Sequence, residues 1–272
     1  MKPVPLTQIR RAAKKALLQA LEDAQTAVDG LPEGQDNGQK GKYIDNNSDK
    51  WSAIKEELWK LGNMKCWYSE AELECNLAEV EHFRPKKRVT GEHHCGYWWC
   101  AFKWQNFRIS HPLVNKRLTD YQTGKVVGKG CYFPLRDGSP RAQNAAEQNA
   151  EEHVLLDPAV PSDCQLIVFD SSNGTPVPRY QEDADGWLNY RAKESIDFYH
   201  LDEGTWNASR EDIMKAVGFL CDQLITMKES APYDQNEYDQ VIQQLYEYLN
   251  PYAEFLSAAE QVTREKGIDI RF

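Results

Sequence analysis

Residues 6–28 place Ile9, Ala12, Ala13, Ala16, Leu17, Ala20, Leu21 and Ala24 at helical spacing, which predicts an amphipathic helix. Over 30–49 that pattern gives way to Gly, Asn, Asp, Gln and Lys, the composition of a loop. It returns from Ser48 to Leu61, where Trp51, Ile54, Leu58, Trp59 and Leu61 form the apolar side and Gly62-Asn63 stop the helix. From 64 to 90 the period shortens to that of strands. Lys65 to Tyr68 reads as one strand and Ala78 to Phe83 as a second. Alternation puts Val80 and His82 on one face of the second strand, Glu81 and Phe83 on the other. The aromatic run Gly96 to Trp104 predicts a short core helix with Asn106 just beyond it. His111 to Thr119 begins another helix, with Pro112 in its first turn and Asn115-Lys116-Arg117 exposed.

Further along, Gly128 to Leu135 is a turn followed by an extended piece, and 137–151 is polar and irregular. Val154 to Pro158 and Leu166 to Phe169 are extended, the latter closed by the turn residues Ser171 to Gly174. Helices follow at Tyr190 to Tyr199 and at Ser209 to Lys228, the second with Ser209 as its cap and Glu211-Asp212 in its first turn. Tyr233 to Gln261 gives one or two helices around Pro251. These elements make an α+β chain, mostly helical, with a small strand-containing centre at 63–160. A helical arm (1–62) precedes it and a mainly helical region (161–272) follows.

Charge changes this picture more than size does. The 272 residues carry a net charge of -10, which argues against a protein that coats nucleic acid. Yet His82 to Ala142 holds twelve Lys and Arg against three acids, a net of +9, while the remainder holds 20 against 39, a net of -19. A basic segment within an acidic chain is the footprint of a local phosphate-binding face. Mean hydropathy is -0.70 and no run of eighteen apolar residues occurs, so no membrane span is expected. The basic N-terminus lacks the apolar core of a signal peptide, and the expected location is the cytoplasm. The seven cysteines form no Cys-x-x-Cys pair and are expected as free thiols.

Within the basic segment, Glu81-His82-Phe83-Arg84-Pro85-Lys86-Lys87-Arg88 brings together a carboxylate, a side chain that titrates near neutrality and a run of cations. Alone it reads equally as a strand ending in a solvated charge run. Its surroundings decide between the two. Cys66-Trp67-Tyr68-Ser69-Glu70 precedes it. Tyr97-Trp98-Trp99-Cys100-Ala101-Phe102, Trp104-Gln105-Asn106 and His111-Pro112-Leu113-Val114-Asn115-Lys116-Arg117 follow. Further blocks are Tyr132-Phe133-Pro134-Leu135, Glu151 to Pro158 and Arg191 to Ile196. Together these blocks resemble the HNH endonucleases of the ββα-metal type. More narrowly they resemble the nuclease subunit of Septu-type anti-phage systems, which is also found beside some retrons.

The resemblance implies an HNH ββα-metal core at 63–160 and cleavage of phosphodiester bonds in DNA, or in RNA such as tRNA. It implies His82 as general base, Asn106 as the residue that orients it, and Glu81 and Asn115 as ligands of Mg2+ or Mn2+. Arg84, Lys86 and Lys116 would contact phosphates. Glu151, His153 and His111 would stand in the layer behind the metal. The family's subunit works with an ABC/SMC-type ATPase, so a hetero-oligomer is expected. The chain departs from the pattern at the zinc knuckle, whose two Cys-x-x-Cys pairs are here Cys66…Ser69 and His111…Val114. Two ligands of four are too few for a closed tetrahedral site, and no structural zinc is expected. The same loss leaves open an alternative, a degenerate HNH-fold subunit that binds or scaffolds without catalysis.

Overall fold

The computed structural model describes residues 1–32, 38–119, 124, 126–180, 186–230 and 232–269. The chain begins with a 3-10 turn at Leu6–Gln8, helix α1 (Ile9–Ala12) and helix α2 (Lys15–Asp29). The single helix expected over 6–28 is therefore broken. Ala13 and Lys14 are extended (ψ 146 and 135), and the corner lets Ile9 and Leu21 both reach the core, at 0% and 1% exposure. The expected loop after it contains helix α3 (Gly38–Asn46), while 33–37 lie outside the described residues. Polar composition hid α3 because only Ile44 and the half-buried Tyr43 anchor its apolar side, and Lys40 lies over the Trp98 ring with its ammonium 3.4 Å from the centroid. The helix expected over 48–61 is split into α4 (Asp49–Ser52) and α5 (Lys55–Leu61), with Ile54 fully buried at the joint.

The centre is built on two short strands. β1 (Glu79–His82) pairs antiparallel with β2 (Phe107–Ser110), in the register Glu79 to Ser110, Glu81 to Arg108 and His82 to Phe107. The strand expected at 65–68 is instead a tight loop. Asn63, Met64 and Glu70 have positive φ there, and only Lys65 forms a bridge, with Glu72. Trp67 still donates its backbone N–H to Ile109 at 3.0 Å, so the loop lines the edge of β2. The aromatic run is not a helix but two 3-10 turns, Trp98–Cys100 and Trp104–Asn106, which reverse the chain into β2.

Helix α6 (Pro112–Asn115) follows β2 directly, giving a strand–strand–helix order. It is shorter than expected because Lys129 and Gly130 donate their backbone N–H groups to Val114 and Asn115, capturing the carbonyls a longer helix would use. Lys116 is then extended, and β3 (Leu118–Thr119) pairs with β4 (Val126–Val127).

The remainder packs around this centre. After α7 (Pro161–Cys164), the extended piece expected before the turn at Ser171 to Gly174 is β5 (Ile167–Phe169), and it pairs antiparallel with β6 (Pro176–Pro178), a strand not expected from the sequence. α8 (Gly186–Phe198), α9 (Gly204–Glu229), α10 (Gln235–Leu249) and α11 (Leu256–Glu265) follow, with the expected break at Pro251. α9 begins earlier than the sequence suggests. Glu203, not Ser209, caps it, accepting from the Trp206 N–H at 3.0 Å while Trp206 is buried. The architecture is α+β and mostly helical, with small antiparallel sheets. One hydrophobic cluster runs from Ile9 through Phe107 to Val262. A smaller one gathers Phe83, Val89, Tyr97, Trp99 and Phe133 beside β1. No helix among the described residues is long and apolar enough to cross a membrane.

Candidate active site

The end of β1, α6 and the turn at 128–131 enclose a cleft of about 470 Å3, lined by Glu81, His82, Lys86, Asn115, Lys116 and Arg117 among others. His82 is 5% exposed, and its ring lies edge-on to Trp51 and Phe107 at 5.1 and 5.0 Å between centroids. Nε2 lies 2.8 Å from the Ala101 carbonyl, which accepts only, so Nε2 carries the proton. Nδ1 is then the lone-pair nitrogen, 3.3 Å from the Lys86 ammonium. Burial first, and the Lys86 charge next, push the His82 pKa well below its ordinary value. The imidazole is neutral, with its basic nitrogen on the side of the cleft's cations.

Glu81 is 2% exposed and fully partnered. Tyr68 donates its hydroxyl to Oε2 at 2.7 Å, and the Lys129 ammonium bonds Oε1 at 2.5 Å. Lys129 is 0% exposed and also donates to the His82 carbonyl at 3.0 Å. Asn115 is turned to Glu79, not Glu81: its Nδ2 donates to Glu79 Oε2 at 2.8 Å, and Lys116 bridges Oε1 of the same carboxylate at 2.7 Å. The ligand pair expected from the sequence therefore lines one cleft without converging on a vacant point. Among the described residues no three His, Cys, Asp or Glu side chains cluster as a metal site. As built, these residues do not fit a divalent ion. Such an ion would meet one carboxylate already held by an ammonium and one amide already tied to a different carboxylate.

Asn106 does not touch His82, contrary to the direct orienting contact expected of it. Its Oδ1 accepts from the Arg84 N–H at 2.8 Å, and its Nδ2 donates to the carbonyls of Arg84 (2.9 Å) and Cys100 (3.3 Å). It fixes the peptide beside Ala101, and Ala101 holds the ring. Arg84 leans away from the cleft to Glu151 (3.1 Å) and the Gln148 carbonyl, over the faces of Tyr97 and Phe133. Glu151 also accepts from Tyr97 and the Ala142 N–H, so it supports Arg84 rather than the cleft.

His153 packs against Phe83 and Phe133, with Nε2 3.8 Å from Asp163. His111 caps α6 through Nδ1 and lies edge-on to Trp206. At the knuckle positions, the His111 N–H meets Cys66 Sγ at 3.3 Å, Ser69 accepts from Ala71 and Val114 is buried. Sequence reasoning missed Tyr68, Glu79 and Lys129. The one signal for Glu79 was its two-residue spacing from Glu81. For Lys129 it was the pair of flanking glycines.

No family model matches the chain. A curated relative does: the Septu protein PtuB of Bacillus mycoides strain KBAB4 is 27% identical over 197 residues. The chain is similar to a Septu protein. The match covers 69% of this chain and 61% of the relative's own length. The Septu-type relationship read from the motif blocks around Glu81-His82 thus has independent support in a match across most of the chain.

Proposed function

We propose that the chain is an HNH-type endonuclease subunit of a Septu-type anti-phage system, hydrolysing phosphodiester bonds of DNA or RNA in the cleft beside β1. The observation that carries this reading is the His82 ring, whose donor nitrogen is fixed to Ala101 and whose basic nitrogen meets an ammonium at the cleft. A phosphodiester entering the cleft offers Lys86 a better acceptor than a neutral imidazole. Lys86 shifts to a phosphate oxygen, with Lys116 on the rim beside it, and uncovers Nδ1. A water on that nitrogen loses its proton to His82 as its oxygen attacks phosphorus; the bond from phosphorus to the leaving sugar oxygen breaks, and that oxygen takes a proton from solvent. The ring must stay neutral and oriented for this, and burial together with the Ala101 bond supplies both. No step is routed through a divalent ion, because Glu81 and Asn115 as held do not fit one. An ABC/SMC-type ATPase is the proposed partner, on the strength of the Septu resemblance.

His82→Ala is the test. The variant is expected to retain its melting temperature within a few degrees and its assembly with the partner, and to lose cleavage of DNA and RNA by about 10²-fold or more. Cleavage at the wild-type rate would overturn the assignment. The second reading, a scaffold without catalysis, is favoured by one observation, the Lys129 ammonium on Glu81. It predicts a protein that joins the ATPase yet leaves both nucleic acids intact.

A further inference from the structure

Lys129 is a lysine with no access to solvent, bonded from behind to Glu81 in the wall of a cleft that nucleic acid is proposed to enter. A buried ammonium needs its charge matched and acceptors for its protons, and here an opposite charge and two acceptors meet it. Nζ bonds Glu81 Oε1 at 2.5 Å and the His82 carbonyl at 3.0 Å. The other carboxylate oxygen takes the Tyr68 hydroxyl at 2.7 Å, so both oxygens of Glu81 are engaged.

The backbone is committed to this arrangement. Gly128 has φ +90 and Gly130 φ +53, and between them the Lys129 N–H bonds Val114 at 2.8 Å and the Gly130 N–H bonds Asn115 at 2.7 Å. A Cβ on Gly128 would stand 1.8 Å from the Lys116 carbonyl, so the turn is pressed against the end of α6. To free Glu81, the turn would have to lift off α6, or the ammonium would have to swing toward Lys86. The first breaks both backbone bonds, and the second brings two like charges together.

We propose that Lys129 is the resident cation of this cleft. Its ammonium occupies the carboxylate where a divalent ion is expected, making Glu81 an ion-pair partner instead of a metal ligand, and it anchors the His82 peptide from behind. The proposal concerns the same cleft as the nuclease reading but does not depend on cleavage.

The test is Mn2+ binding followed by electron paramagnetic resonance on the intact chain, compared across wild type, Glu81→Gln, Lys129→Met and the double variant. Glu81→Gln is expected to leave the Mn2+ affinity of the wild type unchanged. Lys129→Met, which bares the carboxylate, is expected to gain a site about tenfold or more tighter, and the double variant to lose it again. Wild-type binding that Glu81→Gln weakens about tenfold would overturn the proposal, as would a folded Lys129→Met that gains no site.

Should Lys129→Met fail to fold, thermal melting decides. The double variant buries a neutral pair and is expected to fold again, with a cooperative melting transition that Lys129→Met lacks. A double variant no more stable than Lys129→Met would show that the two charges are not coupled. These readouts involve no nucleic acid, so their failure leaves the nuclease reading standing, and the loss of that reading leaves them standing.

Discussion

His82 and Asp163 use burial in opposite ways. Desolvation dominates at His82 and keeps it neutral. At Asp163 burial also disfavours the charge, but the two-pronged Arg191 (2.8 Å to each oxygen) and the Asp157 N–H (3.0 Å) outweigh it and hold the carboxyl below its ordinary value. A carboxyl lowered in the folded state stabilises the fold at any pH above the unfolded value near 3.9, and that contribution is lost as pH falls through the folded value. Asp163→Asn leaves Arg191 buried beside an amide and is expected to cost about 3–5 kcal/mol at neutral pH. Its stability should also fall less steeply than the wild type's below about pH 4. Urea titrations at pH 7 and pH 3.5 measure both effects, and equal slopes of stability against pH in the two proteins would refute the linkage. At this scale the sequence made Glu81, His82 and the cations beside them legible, because they are adjacent in the chain. Tyr68, Glu79 and Lys129 were not legible. Their roles depend on which turn folds onto β1, and 47 residues separate Lys129 from the carbonyl it holds.

Elements ended where a distant backbone or an unusual cap intervened. The period of three to four residues located α2, α8 and α10, alternation located β1, and a short apolar run closed by a turn located β5. The same rules overran α6, whose last carbonyls are taken by Lys129 and Gly130, and started α9 too late, because glutamate is not a favoured cap. The turn at 128–130 therefore terminates a helix, positions the buried ammonium and forms one wall of the cleft. Gly128→Ala tests that combination. The substitution places a methyl against the Lys116 carbonyl in a left-handed conformation, and the expected loss is about 2 kcal/mol or more. Gly138 is the control. Its φ is +81 but a Cβ there meets open space, so Gly138→Ala should cost only backbone strain, about 1 kcal/mol. Chemical denaturation of the two variants reads the difference. Equal losses would mean that the packing of Gly128 on α6 contributes nothing.

Across the whole molecule, an acidic protein gathers four of its 32 Lys and Arg side chains in one cleft. Lys86, Lys87, Lys116 and Arg117 all line it. Each is held in place by a group that phosphate can displace or share: His82 for Lys86, Asp45 for Lys87, Glu79 for Lys116, and the Gly128 carbonyl for Arg117. With a net charge of -10, the rest of the surface repels a polyanion, so binding is expected to report on this patch alone. Four phosphate contacts release four counter-ions' worth of affinity. The logarithm of the association constant should then fall against the logarithm of salt with a slope of about -3 to -4, or about 10²-fold between 50 and 200 mM. Fluorescence anisotropy with a labelled oligonucleotide and the His82→Ala protein measures the slope without cleavage. Lys116→Gln with Arg117→Gln should shallow it by about 2. A slope near zero, or one that the double substitution leaves intact, would place the nucleic acid elsewhere on the protein.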